Sequence, residues 1–387
     1  MHAAVHYASP LDRETVGPHP CFARRHARAK RNVRRAASFA GTVPLLVRAR
    51  RKRPDARKRR VNAGCYFFKE DWPKMPTTDY ARNEAFTPLL SYMEQLHRTA
   101  GATASALIVL QKGSTIAQWK SGAHHHKSGA RPIASDSLFN VYSVRKTYIG
   151  LALAIALAEN DIDPDNPVSR FISDMTEDEL GSLSVKDLAL KRGPKHFGEK
   201  RLEKEGLIGK IVFALTGRTI ARLLTETVLD PLGFAETSWA AVPHERLVCD
   251  YTSQDRYPSV RIESDEGHER NLYVSARDLA RWGQLHIENG FADGRPIVSE
   301  KTFELINELK RTAPAGKPAF GWHSEDGLFQ VTGYTGCHVT VLPSLHAVGV
   351  RMLNNWDLPG PFVREDYDNE IRAFNNILIH CLKQTSL

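Results

Sequence analysis

The chain has 387 residues, of which 42% are hydrophobic, and this is enough to bury a large core in two lobes or in one lobe with an insertion. No uninterrupted apolar run approaches the roughly 20 residues that a membrane-spanning helix needs, so the sequence excludes a helical integral membrane protein and predicts no membrane span. The net charge of +9 arises in residues 1–60, which hold 17 Lys and Arg against 3 Asp and Glu, whereas the other 327 residues carry a net charge of −5.

The first 76 residues are predicted to be a basic, disordered extension. Tracts such as RRHARAKRNVRR and RARRKRPDARKRR alternate with alanine and proline and show no sustained amphipathic period. Tracts of this kind bind nucleic acid or act as nuclear addresses. Two other interpretations stay open. One is a non-functional extension translated from upstream of a start near Met75, and the other is a secretion signal built on Arg34, Arg35 and residues 36–47.

The spacing of cysteine and histidine predicts neither a disulfide framework nor a metal site, and no cofactor is expected. The adjacent His124, His125 and His126 have no acid or cysteine at ligand spacing, so we expect them in a solvated loop. The cysteines are odd in number and far apart, which fits a reducing compartment and favours a cytoplasmic location. They are Cys21, Cys65, Cys249, Cys337 and Cys381.

Residues 77–387 are predicted to form one folded domain. Apolar residues at helical spacing predict an amphipathic helix over residues 86–97. A Lys-Gly-Ser turn between two apolar runs predicts a β-hairpin over residues 104–111 and 115–119. Residues 138–160 are rich in alanine and leucine, and they predict a helix that is apolar on every face and therefore buried.

The segments after the buried helix predict a helical lobe and then a return to the sheet. The inserted all-α lobe is expected at roughly residues 160–290, with the chemistry in a cleft beside it. Its predicted helices are residues 168–172, 185–190, 207–216 and 220–229. Later apolar runs predict strands and a closing helix. The strands are residues 320–323, 328–332, 337–342 and 347–353, and the helix is residues 365–381.

The start of the buried helix carries a Ser-x-x-Lys tetrad, Ser143 to Lys146. Residues three apart lie one turn above each other on a helix, so the Ser143 hydroxyl and the Lys146 amine would face the same side. A serine becomes a good nucleophile when a neighbouring base takes its proton, and a buried lysine can do so because burial lowers its pKa. The positive end of the helix would stabilise an oxyanion beside Ser143. The alternative interpretation is an ordinary helix start.

From about Ala104 to the C-terminus the sequence resembles the serine β-lactamase and penicillin-binding-protein superfamily, in its class C-like branch of esterases, peptidases and lactamases. Besides the hairpin, the matching segments occur in the order LFNVYSVRKTYIGLALAIALAENDIDPDNPVSRFI, VKDLAL, ALTGRTIARLLTETVLDPLGFAETSW, NLYVSARDLARWGQLHIENGFADGRPIVS and VTGYTGCHVTVLPSLHAVGVRMLNN. The resemblance implies an α/β (α+β) fold, in which an antiparallel sheet is flanked by helices and carries an inserted all-α lobe.

The resemblance also implies roles for single residues. Ser143 would be the acylated nucleophile and Lys146 its base, and the backbone N–H groups of Ser143 and Tyr334 would form the oxyanion hole. Thr332 and Gly333, on the strand that borders the cleft, would bind the substrate. A glycine at position 333 also fits the close approach of a substrate carbonyl, and plain turn chemistry is the alternative explanation.

One departure from the family pattern concerns the proton relay. The family's Tyr-x-Asn element is missing, because no tyrosine occurs between Tyr148 and Tyr251. The segment where it would fall, residues 193–206, is shortened. His196 and Glu199 are candidates to replace the tyrosine, with solvated surface as the alternative for both.

A second departure concerns the charge of the cleft, because the strand motif begins with Val331 where the family has lysine or histidine. A cation there would bind a substrate carboxylate through a charge-assisted hydrogen bond, which contributes about 1.5–3 kcal/mol. Its absence disfavours lactamase and carboxypeptidase activity and favours neutral esters or amides. His323 and His338 could supply a base, but their apolar strand context favours packing.

Three functional hypotheses remain. The first is a serine hydrolase that forms an acyl-enzyme on Ser143 with a small-molecule ester or amide. The second is a catalytically impaired penicillin-binding-like protein, a pseudoenzyme that binds ligands without efficient turnover. The third is polyanion binding through the arginine-rich N-terminus, the part of the chain for which a nucleic-acid partner is expected. The sequence predicts no oligomeric state.

Overall fold

The computed structural model describes residues 84–249, 260–354 and 367–385, so the predicted basic extension lies outside the described residues. The helices in chain order are α1 Thr87–Thr99, α2 Arg145–Glu159, α3 Glu177–Leu180, α4 Val185–Ala189, α5 Lys204–Thr216, α6 Ile220–Leu224, α7 Ala276–Ile287, α8 Glu300–Thr312 and α9 Tyr367–Gln384. The strands are β1 Ala104–Gln111, β2 Ser114–Gly122, β3 Phe139–Asn140, β4 His196–Phe197, β5 Leu202–Glu203, β6 Thr237–Trp239, β7 Leu272–Val274, β8 Phe291–Ala292, β9 Arg295–Pro296, β10 His323–Glu325, β11 Leu328–Thr332, β12 His338–Leu342 and β13 Ala347–Leu353.

The main sheet of the described residues has six strands in the order β10-β11-β12-β13-β1-β2, and neighbouring strands are antiparallel. Successive side chains of a strand point to opposite faces, and β1 follows this rule. Its Leu107 and Val109 pack in one core with Phe86 before α1 and Phe374 of α9. Its Ala106 packs in the other core, which holds α2 and α7. The sheet is therefore covered on both faces, which explains its long apolar strands.

Helix α2 lies in the middle of the second core, as the sequence predicted. Every residue from Thr147 to Leu157 is buried. Alanines at many positions allow close packing against α5, α6 and α8. The Trp282 indole of α7 donates a hydrogen bond to Thr147 Oγ1 at 3.0 Å and stacks on the Tyr148 ring with centroids 3.8 Å apart. These contacts fix the helix that carries the Ser-x-x-Lys tetrad.

The predicted α/β fold with an antiparallel sheet is confirmed. The hairpin is β1 and β2, and the strands β11 and β13 have the predicted bounds. The predicted strand over residues 320–323 is wrong in position, because only an isolated bridge joins Ala319 to Trp322 and β10 begins at His323. In the described residues, no helix has the length and apolar character needed to cross a membrane.

The predicted all-α lobe needs correction. The helices α3, α4, α5 and α6 lie in the expected segment, but so do a two-stranded sheet of β4 and β5 and the strands β6 and β7, which form a three-stranded sheet with β3 from outside the segment. Helix α7 lies at the end of the predicted lobe, yet it packs on β12, β13 and β1 of the main sheet. Its apolar stripe, which includes Leu279, Trp282 and Leu285, is buried there.

Candidate active site

Ser143 lies in a single 3-10 turn, Tyr142–Val144, which leads directly into α2. The preceding residue, Tyr142, has a backbone φ of 44°, a left-handed conformation that is unfavourable for a bulky side chain. Its N–H donates to Asn140 Oδ1 at 2.9 Å, and the Arg145 guanidinium donates to its carbonyl at 3.2 Å. Strain of this kind persists where the surrounding structure fixes the backbone, and it clusters at functional sites.

The amine of Lys146 lies on the same side of the turn as the hydroxyl of Ser143. The Lys146 Nζ donates a hydrogen bond to Ser143 Oγ at 3.1 Å. Burial lowers the pKa of Lys146 to about 8, against the opposing effect of Glu205 and with the help of the positive charges of Lys191 and Arg145. A lysine with this pKa is neutral in roughly one molecule in ten at pH 7. The neutral amine can accept the serine proton.

Among the described residues, the carboxylate nearest to Lys146 is that of Glu205, at the start of α5, with Oε1 3.6 Å from Lys146 Nζ. The same oxygen lies 3.9 Å from the Arg145 guanidinium. Burial alone would raise the pKa of Glu205, but the charges of Arg145 and Lys146 outweigh it and lower the pKa. Glu205 is therefore an ionised partner of Lys146.

The sequence interpretation missed Glu205 and named His196 and Glu199 instead. Glu199 is exposed and His196 is half-buried in β4, and neither is among the described residues that line the pocket beside Ser143. The feature of the sequence that could have drawn attention to Glu205 is its position directly before the apolar run of α5. A carboxylate in the first turn of a helix is favourably placed, but this pattern alone does not indicate which residue it contacts.

The pocket has a volume of about 240 Å³ and lies between α2, α5 and the edge of β11. Ser143, Lys146 and Glu205 form part of its wall, together with apolar side chains of α2, α4 and α5. Lys191 and Lys204 also line it. Polar and charged groups that converge on a cavity with apolar walls are typical of ligand sites.

The predicted oxyanion strand borders this pocket, with Val331 and Thr332 in its wall. The glycine at position 333 has an explanation that does not involve the substrate. A Cβ at this position would lie 2.4 Å from the carbonyl oxygen of Val141, so the protein's own backbone requires the glycine. The ring of the next residue, Tyr334, lies 5.6 Å from the ring of Tyr142, between ring centroids. The strand end and the turn of Ser143 are therefore in contact.

The two histidines of this region differ in placement. His338 is fully buried and hydrogen-bonded to Thr340 Oγ1 at 2.8 Å, so it packs as expected. His323 does not pack in the core, since it is exposed and lines the pocket. Desolvation and the charges of Lys191 and Lys146 lower the pKa of His323, so its imidazole is neutral near pH 7.

The expectation of a solvated loop at His124, His125 and His126 is wrong for the first of them. His124 is buried, and its ring nitrogens lie 3.0 Å from the Leu247 carbonyl and 2.9 Å from Ser137 Oγ. It is a structural residue that ties β2 to a later loop. Such a role leaves no trace in the sequence pattern.

Comparison with known proteins gives a consistent result. The sequence model of the beta-lactamase family matches residues 90–192 and 205–373. The gap in this match coincides with the segment from which the Tyr-x-Asn element is missing. An uncharacterized protein of Alkalihalophilus pseudofirmus is 25% identical over 329 residues, which are 77% of this chain and 96% of that protein.

Two solved structures show the shared fold. A beta-lactamase from Sulfitobacter sp. EE-36 superposes with a TM-score of 0.61 at 16% identity, over 80% of this chain and 99% of that one. EstCE1, a hydrolase with promiscuous acyltransferase activity, superposes with a TM-score of 0.56 at 14% identity, over 75% of this chain and 98% of that one. The family match covers well over half of the chain, and the chain therefore belongs to the beta-lactamase family.

Proposed function

We propose that the protein is a serine hydrolase that forms an acyl-enzyme on Ser143 and acts on ester or amide substrates. The observation that carries the proposal is the 3.1 Å contact between Lys146 Nζ and Ser143 Oγ at the wall of a pocket. Membership of the beta-lactamase family supports a hydrolase or acyltransferase chemistry. The same contact argues against a pseudoenzyme, since nucleophile and base are both present and adjacent.

The proposed reaction begins when neutral Lys146 takes the proton of the Ser143 hydroxyl. The oxygen then bonds to the carbonyl carbon of the substrate, and the carbonyl oxygen becomes an oxyanion. The N–H groups of Ser143 and Tyr334 are expected to stabilise it. The intermediate collapses as the alcohol or amine departs with the proton from Lys146, leaving the acyl group on Ser143. In the second half of the reaction, Lys146 takes a proton from a water molecule, and the water oxygen bonds to the acyl carbon. The Ser143 oxygen then leaves with that proton, and the acid is released.

Glu205 is proposed to act on Lys146 rather than on the substrate. Once Lys146 has taken the proton it is an ammonium ion in a partly buried site, and its charge is costly there. The Glu205 carboxylate, 3.6 Å away, stabilises that charge as the intermediate forms. This positioning residue would take over part of the role that the missing tyrosine has in related enzymes.

Glu205→Gln tests this role through the pH dependence of ester hydrolysis. Since Glu205 raises the pKa of Lys146, its removal should move the rising limb of kcat/KM to lower pH. The plateau should fall by roughly tenfold, which corresponds to about 1.4 kcal/mol of lost ion-pair stabilisation. Both changes are read from one pH profile of p-nitrophenyl ester hydrolysis.

The matched control is Glu203→Gln, which removes a neighbouring carboxylate. Glu203 makes its ion pair with Arg270 and is not among the described residues that line the pocket. In this variant the rising limb of kcat/KM should lie at the same pH as in the wild type. The role of Glu205 is contradicted if the limb of Glu205→Gln stays at the wild-type pH, or if it moves equally in both variants.

The hydrolase proposal itself is tested with a fluorophosphonate probe. We expect covalent labelling that peptide mapping assigns to Ser143 and that is lost in Ser143→Ala. Turnover of p-nitrophenyl esters should be lost in the same variant. A folded wild-type protein that takes up no label would reject the proposal in favour of the pseudoenzyme. The polyanion hypothesis concerns the basic extension, which the described residues do not include.

A further inference from the structure

The pocket beside Ser143 carries more positive than negative charge. Three lysines line it, Lys146, Lys191 and Lys204, together with the neutral His323. Glu205 is the single acidic side chain among the described residues of the wall. Its carboxylate is already shared by Lys146 and Arg145, at 3.6 and 3.9 Å. Among the described residues of the wall, this one carboxylate also has to offset Lys191 and Lys204, so the wall keeps a net positive charge.

The described part of the chain offers no carboxylate within ion-pair distance of Lys191 or Lys204. The Lys204 Nζ donates one hydrogen bond, to the Gly193 carbonyl at 2.9 Å. A lysine ammonium has three donors, so two remain for a ligand. The charge of Lys191 lowers the pKa of both Lys146 and Lys204, so Lys191 lies close enough to repel each of these two amines.

The backbone presents Lys191 to the pocket in an unusual way. Lys191 follows α4 with a φ of 56°, a left-handed conformation that costs a lysine free energy and a glycine almost none. Its N–H donates to the Leu188 carbonyl at 3.0 Å, which holds it at this helix end. A side chain kept in such a conformation at the wall of a reactive pocket is a candidate for ligand contact.

We propose that the pocket selects substrates that bear a carboxylate, which Lys191 and Lys204 bind while Ser143 attacks the ester or amide carbonyl. This inference rests on the proposed hydrolase function. It reverses the expectation drawn from Val331, because the cation missing from β11 is supplied by Lys191 after α4 and by Lys204 of α5. Charge-assisted hydrogen bonds from lysine to carboxylate are strong enough to decide between substrates of the same shape.

The test compares esters that differ in one group. Mono-p-nitrophenyl adipate and p-nitrophenyl hexanoate share their leaving group, and a carboxylate replaces a methyl group at the far end of the acyl chain. The hexanoate ester of hydroxynitrobenzoic acid moves the carboxylate to the leaving group. After correction for spontaneous hydrolysis, we expect kcat/KM for at least one anionic ester to exceed that for the neutral ester by about tenfold or more. The preference should weaken as salt is added.

The double variant Lys191→Gln/Lys204→Gln should bring the ratio of anionic to neutral kcat/KM close to one. The ratio is the readout because Lys191 also affects the pKa of Lys146 and so the rate with every ester. The matched control is Lys186→Gln/Lys210→Gln, which removes one charge from α4 and one from α5. Those lysines pair with Asp165 and Asp174 and lie outside the pocket wall. The control should keep the wild-type ratio.

Two results would overturn the inference while leaving the hydrolase proposal intact. One is a wild-type protein that hydrolyses the neutral ester at least as well as both anionic esters. The other is an anionic preference that the double variant retains. If none of the three esters is hydrolysed and Ser143 takes up no fluorophosphonate, the hydrolase proposal fails and the inference fails with it.

Discussion

Replacement of Lys146 by methionine is expected to lower kcat/KM for ester hydrolysis by about 10²- to 10⁴-fold, the usual contribution of a positioned general base. Methionine fills a similar volume but cannot accept the proton of Ser143, whose Oγ lies 3.1 Å from the lysine amine. The stability cost should be small, because Lys146 is partly exposed and the variant removes one of two cations beside Glu205. The measurement is kcat/KM with a p-nitrophenyl ester, alongside thermal unfolding.

The pH dependence of ester hydrolysis by the wild-type protein also tests whether Lys146 is the general base. Since Lys146 acts in its neutral form and has a pKa of about 8, kcat/KM should rise about tenfold per pH unit below 8 and level off above it. With the pKa of an ordinary surface lysine, the limb would keep rising to about pH 10. A flat profile between pH 6 and 9 would show that no group with the pKa of Lys146 controls the reaction.

The variant Lys146→Arg tests whether Lys146 acts as a proton acceptor or only through its positive charge. Arginine keeps the positive charge beside Glu205 but remains protonated at every accessible pH. We expect a loss as large as that of the methionine variant. If Lys146→Arg retained most of the activity, the lysine would act through its charge alone and another group would have to accept the serine proton.

The parts of the fold that the sequence predicted are those that local pattern determines. The buried helix α2 follows from an unbroken run of alanine and leucine, and β11 and β13 follow from short apolar runs between turn residues. The contact of Ser143 with Lys146 is also local, because a spacing of three residues on a helix brings two side chains together whatever the tertiary structure.

The rest of the site depends on contacts between distant segments, which periodicity does not encode. Glu205 reaches Lys146 only because α5 packs against α2. Gly333 is required by the carbonyl of Val141, which lies between β3 and the turn of Ser143, and no pattern around either residue indicates this approach. Val331 in place of a cation predicts a pocket without this positive charge, whereas Lys191, from a segment distant in the sequence, lines the pocket.

Gly150→Ala is expected to destabilise the protein, although the same change in an open helix stabilises by about 1 kcal/mol. Gly150 lies in α2 where the segment of Phe320 crosses the helix, and a Cβ there would lie 2.3 Å from the Phe320 carbonyl oxygen. The obstacle is backbone, so the crossing segment itself must shift. Forced overpacking of this kind costs about 1–3 kcal/mol. Urea unfolding measures the difference directly.

The shift should also reach the site, because Phe320 and Gly321 line the pocket of Ser143. A Cβ on Gly321 would lie 2.5 Å from the Lys146 carbonyl carbon, so the crossing is tight on both sides. The control is Gly209→Ala in α5, where the nearest atom to a new Cβ is 3.6 Å away on the His268 ring. This variant should gain up to about 1 kcal/mol. Equal stability of Gly150→Ala and wild type would mean that α2 and the Phe320 segment are not packed as closely as the 2.3 Å approach requires.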